Sequence, residues 1–279
     1  MFYALAAGLV PTGDRQYQHE LADIETLNRR ALSGELEVTA VSIHAYAHLT
    51  EKYALLPHGA SVGDRYGPRL VSTLEVPGNP RTALKGKRIA VPGLMTTAFL
   101  TLRLFQPGFE PVVTPFDRIE DAVLNREVDF GLLIHEGQLT YAERGLTLWA
   151  DMGEWWYGQT GLPLPLGGNV VRRDLGDELI REISRDLRAS IVYGLEHRRE
   201  ALDHAMRYAR GLDRDRADRF VGMYVNDFTV DYGERGRAAV VTLLEKATQA
   251  GLLPGRVSVT FVEDAEPVLK KSPNPARTT

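Results

Sequence analysis

The chain of 279 residues contains no cysteine. Disulfide bonds, a thiolate nucleophile and cysteine metal sites are therefore excluded. It has no excess of positive charge: 33 Lys and Arg stand against 37 Asp and Glu, a net charge of −4. A nucleic-acid partner would call for a basic patch or stripe, and none is present. No apolar run approaches the roughly 20 residues needed to cross a bilayer. The apolar opening MFYALAAGLVP is short, with no basic residue ahead of it and no convincing cleavage site. It fits a buried helix rather than a signal peptide. Neither a Walker loop nor G-x-G-x-x-G occurs, so nucleotide and dinucleotide binding have no support. The expectation is a cytoplasmic globular protein with no cofactor, no metal, and neither nucleic acid nor membrane as a partner.

What is present is an alternation of short apolar strands with helices. Leu21, Ile24, Leu27 and Leu32 recur at a helical period and Gly34 ends the run. The β-branched segment 36–42 reads as a buried strand, as do 53–56, 69–74, 88–91, 110–114 and 128–134. Helices are expected over 2–9, 43–52, 96–105 and 117–126. Residues 145–157 read as a strand and an aromatic turn, and 159–168 (QTGLPLPLGG) as too rich in Pro and Gly for regular structure. A strand at 169–173 leads into a helical third (176–196, 198–210, 213–225, 233–251) and a last strand at 256–262. This order predicts an α/β protein with sheets covered on both faces. The helix-rich last third has too few strands for its own sheet, so it must pack on one made earlier. Two lobes follow: 1–88 and 168–265 form the first, 89–167 the second, and 266–279 is a polar, Pro-rich tail expected to be disordered. The cleft between lobes is the natural ligand site.

Several side chains carry chemistry. His135 follows the apolar strand VDFGLLI and precedes Gly137 by two positions, at the carboxyl end where open α/β sheets place ligand sites. A histidine takes a proton near neutral pH without special tuning; the alternative is a histidine that caps a helix or bonds in the hinge. Glu136 reads as structural, because strand neighbours point to opposite faces. Thr96 and Thr97 open a helix after Pro92-Gly93, where free N–H groups and the dipole favour an anion, although either threonine also serves as an N-cap. Ser42 ends a strand and starts a helix, and no G-x-S-x-G elbow makes it a nucleophile. His44 and His48 have a metal-gripping spacing, but position 139 is Leu139, so His135-Glu136 supplies no H-E-x-x-H partner, and a surface or packed pair is expected. Trp155, Trp156 and Tyr157 suit either stacking on a bicyclic ligand or core packing. Asn226 and Asp227 read as fold-holding.

Four segments, in order, carry a resemblance: Asp23-Ile24-Glu25-Thr26-Leu27-Asn28, Gly131-Leu132-Leu133-Ile134-His135-Glu136, Thr160-Gly161-Leu162-Pro163-Leu164-Pro165-Leu166-Gly167 and Tyr224-Val225-Asn226-Asp227-Phe228. With Leu84 to Gly93 they resemble the 1,4-dihydroxy-6-naphthoate synthase family from about Phe2 to residue 252. That resemblance implies a two-lobed type II periplasmic-binding-protein-like fold with a ligand cleft between the lobes. It also implies a lyase acting on a small carboxylated substrate, cyclic dehypoxanthinylfutalosine, with His135 as proton acceptor. Ala40, Val41, Ser42, Thr97 and Ala98 match its substrate-binding positions. Rivals are chorismate dehydratase of the same pathway, a small-carboxylate binding protein without chemistry, and an inactive relative. Family sequences open with a strand and a Cys-Pro-Asn-Asp loop ahead of the helix matching Phe2-Tyr3-Ala4-Leu5, whereas this sequence starts within that helix. The expectation is a shortened start, so the native protein should be heavier than 31.0 kDa; an intact mass equal to that value would refute it.

Overall fold

Among the described residues, short runs of β-branched and apolar residues form nine strands, and these divide between two sheets. The computed structural model describes residues 1–75, 79–207 and 213–263. The strands are β1 (Val38–Ser42), β2 (Tyr53–Leu55), β3 (Ser61–Gly63), β4 (Arg69–Ser72), β5 (Arg88–Val91), β6 (Glu110–Val113), β7 (Phe130–Leu133), β8 (Thr147–Asp151) and β9 (Leu164–Arg172). In the first sheet β1, β2 and β3 all pair antiparallel with β9. The second has the order β6-β5-β7-β4-β8, with β5 parallel to β6 and β7, and β4 antiparallel to β7 and β8.

The longest strand corrects the sequence reading. Residues 164–168 lie inside β9 rather than in an irregular segment. Gly167 and Gly168 answer to crowding, not to a turn. A Cβ on Gly168 would lie 2.2 Å from the Tyr232 hydroxyl, and one on Gly167 would lie 3.0 Å from the Val41 carbonyl. Pro165 has no N–H for a ladder, and β3 shifts register against β9 between Ser61 and Val62, where Val62 faces Pro165. Trp155, Trp156 and Tyr157 stand in the helix Met152–Thr160 instead of a turn. Asp151 starts that helix by accepting from the Gly153 and Glu154 N–H groups, and Gly161 ends it in the left-handed conformation. The segment 256–262 contributes a single bridge, Leu55 to Phe261, rather than a strand. β4 belongs to the second sheet, so hydrogen bonding crosses between Gly63 and Arg69, earlier than the 88/89 division, and returns at Leu164. The end of the helix expected over 198–210, and the tail 266–279, lie outside the described residues.

Helices cover the sheets as the alternation requires. The helix Asp177–Glu196 lays Ile180, Ile183 and Leu187 on Ala54, Leu56 and Val171 of the first sheet. The helix Gly233–Gln249 packs Val240, Leu243 and Leu244 on its other face, with Val170 and Tyr53. Ile119 and Val123 cover Val71, Ala90 and Leu133 of the second sheet. The largest core runs through both sheets and includes Val41 and Val62 from one, Leu70, Ile89 and Phe130 from the other, and Trp156. Among the described residues no helix is long and apolar enough to cross a membrane.

Trp156 is fully buried and donates from Nε1 to the Pro163 carbonyl at 3.0 Å, one residue before β9. Trp156→Ala leaves a cavity and an unpaired carbonyl, and should destabilise by about 3–5 kcal/mol. Urea denaturation reads this directly; a change below about 1 kcal/mol would show that the indole is not a core support.

Candidate active site

A cavity of about 230 Å³ opens between the sheets. Ile24, Ser42, Ser61, Leu166, Gly167 and Tyr224 line it from the first sheet and its helices, and Thr96, Thr97, Ala98, Ile134 and Gln138 from the second, with Pro68 on the crossing. The volume is that of roughly eight water molecules of liquid, somewhat below a typical pocket for a small organic ligand. Its lining is mostly apolar with a few converging polar groups.

Asn28 assembles the first wall. Asp23 caps the helix Ile24–Ser33 by accepting from the Thr26 N–H, and this sets Ile24 in the cavity and Asn28 one turn on. The fully buried Asn28 carboxamide accepts from the Ser42 N–H at 2.8 Å, and donates to Ser42 Oγ at 3.2 Å and to the Met95 carbonyl at 3.4 Å. Ser42 Oγ therefore accepts from Asn28 and keeps its own proton for another partner. Glu25, on the same helix, accepts from the Met95 N–H at 3.3 Å, and burial pushes its carboxyl pKa up. Gly93 fits against it, since a Cβ there would meet the Glu25 carboxyl at 2.3 Å.

The second wall begins with the helix Thr97–Phe105. Thr96 is its N-cap: Oγ1 accepts from the Phe99 N–H and donates to the Gly93 carbonyl. The next N–H groups, of Thr97 and Ala98, belong to the first turn and have no helical acceptor. Thr97 Oγ1 donates to the Leu166 carbonyl of β9 at 2.6 Å and accepts from the His44 N–H at 3.2 Å, so one hydroxyl staples the two sheets. His44 is a packed residue: its Nδ1 lies 3.3 Å from the Thr96 carbonyl, its ring stacks on Phe99, and burial lowers its pKa to about 4.

His135 is held beside the cavity rather than in its lining. Its Nε2 lies 2.6 Å from the Phe116 carbonyl and its Nδ1 accepts from the Gly137 N–H at 3.1 Å. A carbonyl only accepts, so the proton is on Nε2, and both ring nitrogens are engaged. Its chain neighbour Ile134 and Gln138, three residues on, do line the cavity. Of the other positions singled out from the sequence, Ser42, Thr97 and Ala98 line it. Val41 points into the core, as strand alternation requires when Ser42 faces the cavity, while Ala40 shares Ser42's side of β1. Ser61, Gln138 and Tyr224 were not picked out by sequence reasoning. Tyr224 sits in one of the quoted segments, but its approach to Gln138 is made only by the fold.

Residues 1–249 match a family model described as menaquinone biosynthesis. A 1,4-dihydroxy-6-naphthoate synthase of Thermus thermophilus is 43% identical over 90% of this chain and 90% of its own length. One from Streptomyces coelicolor is 40% identical over 91% and 90%. A crystal structure of an Archaeoglobus fulgidus protein superposes with a TM-score of 0.85 at 53% identity, covering 90% of this chain and 92% of that one. A Candida albicans gene product described as having the generic periplasmic binding protein fold gives a TM-score of 0.66 at 15% identity over 95% and 94% of the two chains. The fold is thus a periplasmic-binding-protein-like α/β fold with the cavity between its two sheets.

Two buried histidines make stability depend on pH. His44 and His58 have pKa values lowered to about 4 by burial, and His58 Nε2 lies 2.9 Å from Ser184 Oγ. The unfolded chain binds their protons from about pH 6.5 downward and the folded chain does not. Their contribution is complete above pH 6.5 and is lost as pH falls from 6.5 to 4, on the order of 3 kcal/mol for each. Denaturation midpoints should fall steeply over that window, and His58→Gln should flatten the slope; a midpoint unchanged between pH 6.5 and 4.5 would contradict the assignment.

Proposed function

The chain belongs to the menaquinone-biosynthesis family, and from that membership we propose that it is a 1,4-dihydroxy-6-naphthoate synthase, a cytoplasmic carbon–carbon lyase acting on cyclic dehypoxanthinylfutalosine. The observation that carries this reading is the identity of 43% and 40% to two synthases across nine-tenths of each chain. The two sheets serve as lobes that close on the substrate. Its carboxylate takes the first-turn N–H groups of Thr97 and Ala98, where unpaired donors and the helix dipole favour an anion. Ser42 Oγ, which accepts from Asn28, donates its remaining proton to the substrate. Ala40 and Val41 contribute through the strand that carries Ser42.

His135 is the proton acceptor. The base takes a proton from carbon next to a carbonyl; the neighbouring carbon–carbon bond then breaks, its electron pair leaving with the sugar-derived fragment, which takes the proton back from the imidazolium as the ring left behind becomes aromatic. For this the imidazole must give up the Phe116 carbonyl and the Gly137 N–H and turn toward the cavity that Ile134 and Gln138 line. Catalytic contacts often form only once the substrate is bound. A closed, mostly apolar cavity excludes water during this step.

The test is turnover of cyclic dehypoxanthinylfutalosine by the purified chain, with dihydroxynaphthoate detected by mass. Wild type should form product, and His135→Ala should lose about a hundredfold or more in rate, as for a general base. Product from an unaffected variant would keep the reaction and remove His135. Saturable binding with no product would favour a solute-binding protein.

A further inference from the structure

Tyr224 and Gln138 meet across the cavity, one from each sheet's flank. Gln138 follows β7 of the second sheet and is fully buried. Tyr224 ends the helix Arg214–Tyr224, which packs on β3 of the first sheet. Gln138 Nε2 lies 3.1 Å from the Leu133 carbonyl, which can only accept, so this end of the carboxamide is the donor. Its Oε1 then faces Tyr224, 2.6 Å from the phenol oxygen, and can only accept in turn. The phenol proton is committed to Gln138. What Tyr224 still offers to the cavity it lines is an acceptor lone pair.

The phenol is held firmly. Tyr66 packs edge-on at 5.8 Å and Phe220 at 5.4 Å between ring centroids. The backbone beyond it is pinned by Asn226, which donates to the Val62 and Met223 carbonyls and caps the short helix Asp227–Val230. Burial pushes the phenol pKa up, so Tyr224 keeps its proton at neutral pH and is no base. Elsewhere in the lining the Thr97 and Ala98 N–H groups and the Ser42 hydroxyl proton can donate, and the Ser61 hydroxyl can do either.

We propose that Tyr224 is a specificity-determining residue that accepts a hydrogen bond from a ligand hydroxyl, while the donors at the helix start take its carboxylate. The proposal rests on the lyase reading for its choice of hydroxylated carboxylic acid. It orients the ligand by sign: carboxylate toward the donors, hydroxyl toward the acceptor. Gln138 takes the phenol proton and leaves Tyr224 a lone pair for the ligand, but the accepting oxygen belongs to Tyr224 itself.

Calorimetric titration of the full chain with 1,4-dihydroxy-6-naphthoate and with 2-naphthoate, which keeps ring and carboxylate but has no hydroxyl, tests it. Wild type should prefer the dihydroxy compound. Tyr224→Phe should weaken that compound by about tenfold and change 2-naphthoate by less than about twofold, the scale of one buried hydrogen bond. Gln138→Met breaks the same contact between the sheets but keeps the Tyr224 oxygen, and should retain most of the hydroxyl preference. Equal losses for both ligands in Tyr224→Phe, or no loss for either, would overturn the proposal, as would identical behaviour of the two variants. Absence of a hydroxyl preference in wild type overturns it as well, whatever the turnover. A hydroxyl preference that Tyr224→Phe abolishes, in a chain that forms no product, would leave Tyr224 assigned and refute the lyase chemistry alone.

Discussion

Every strand of the first sheet among the described residues hydrogen-bonds to β9, and the rest of the structure depends on that constraint. The strand returns from the second sheet at Leu164, pairs with β3, then with β1, then with β2, and ends at Arg172. Its carbonyl at Leu166 takes the Thr97 proton from the other sheet, and Leu166 and Gly167 form part of the cavity wall. The close approaches at Gly167 and Gly168 let β1 and Tyr232 lie tight against it. One strand thus sets both the first sheet's register and the distance between the cavity walls.

The chemistry of the cavity follows from what each polar group has already committed. Asn28 takes one side of Ser42, and the Thr97 hydroxyl gives its proton to Leu166 and accepts from His44. Both leave their role to what remains: a hydroxyl proton in one case, a pair of main-chain N–H groups in the other. His135 is the contrasting case, because both of its ring nitrogens are bound to backbone. The imidazole is thus tethered beside the cavity, whose wall is complete without it.

Much of this was legible in the sequence where local chemistry dictates local structure. The buried β5 and the threonine cap at Thr96 follow from patterning and capping rules, and the fold places them accordingly. The helical last third packed on the first sheet followed from a count of strands. What failed was the reading of Pro and Gly as loop signals at 164–168, whereas Gly161 to Pro163 do form the irregular segment expected of them. In β9 the proline coincides with a shift of register and the glycines answer to neighbours distant in sequence, which no local pattern records. Trp155 to Tyr157 looked like a turn because Asp151, which ends β8, also caps their helix, and that cap was not read. The orientation of the His135 ring and the meeting of Gln138 with Tyr224 are products of assembly. Residues 138 and 224 carry no motif that joins them.

The dependence of the first sheet on β9 has a consequence for the protein as it is made. Strands β1 to β3 end at Gly63, and their common partner begins at Leu164. At about 5–20 residues per second, a ribosome leaves them without that partner for on the order of ten seconds. In that interval the second sheet, whose strands all lie between Arg69 and Asp151, has its own pairings within reach. The nascent chain is thus built with its middle able to form first and its beginning waiting, exposed, for a strand not yet translated.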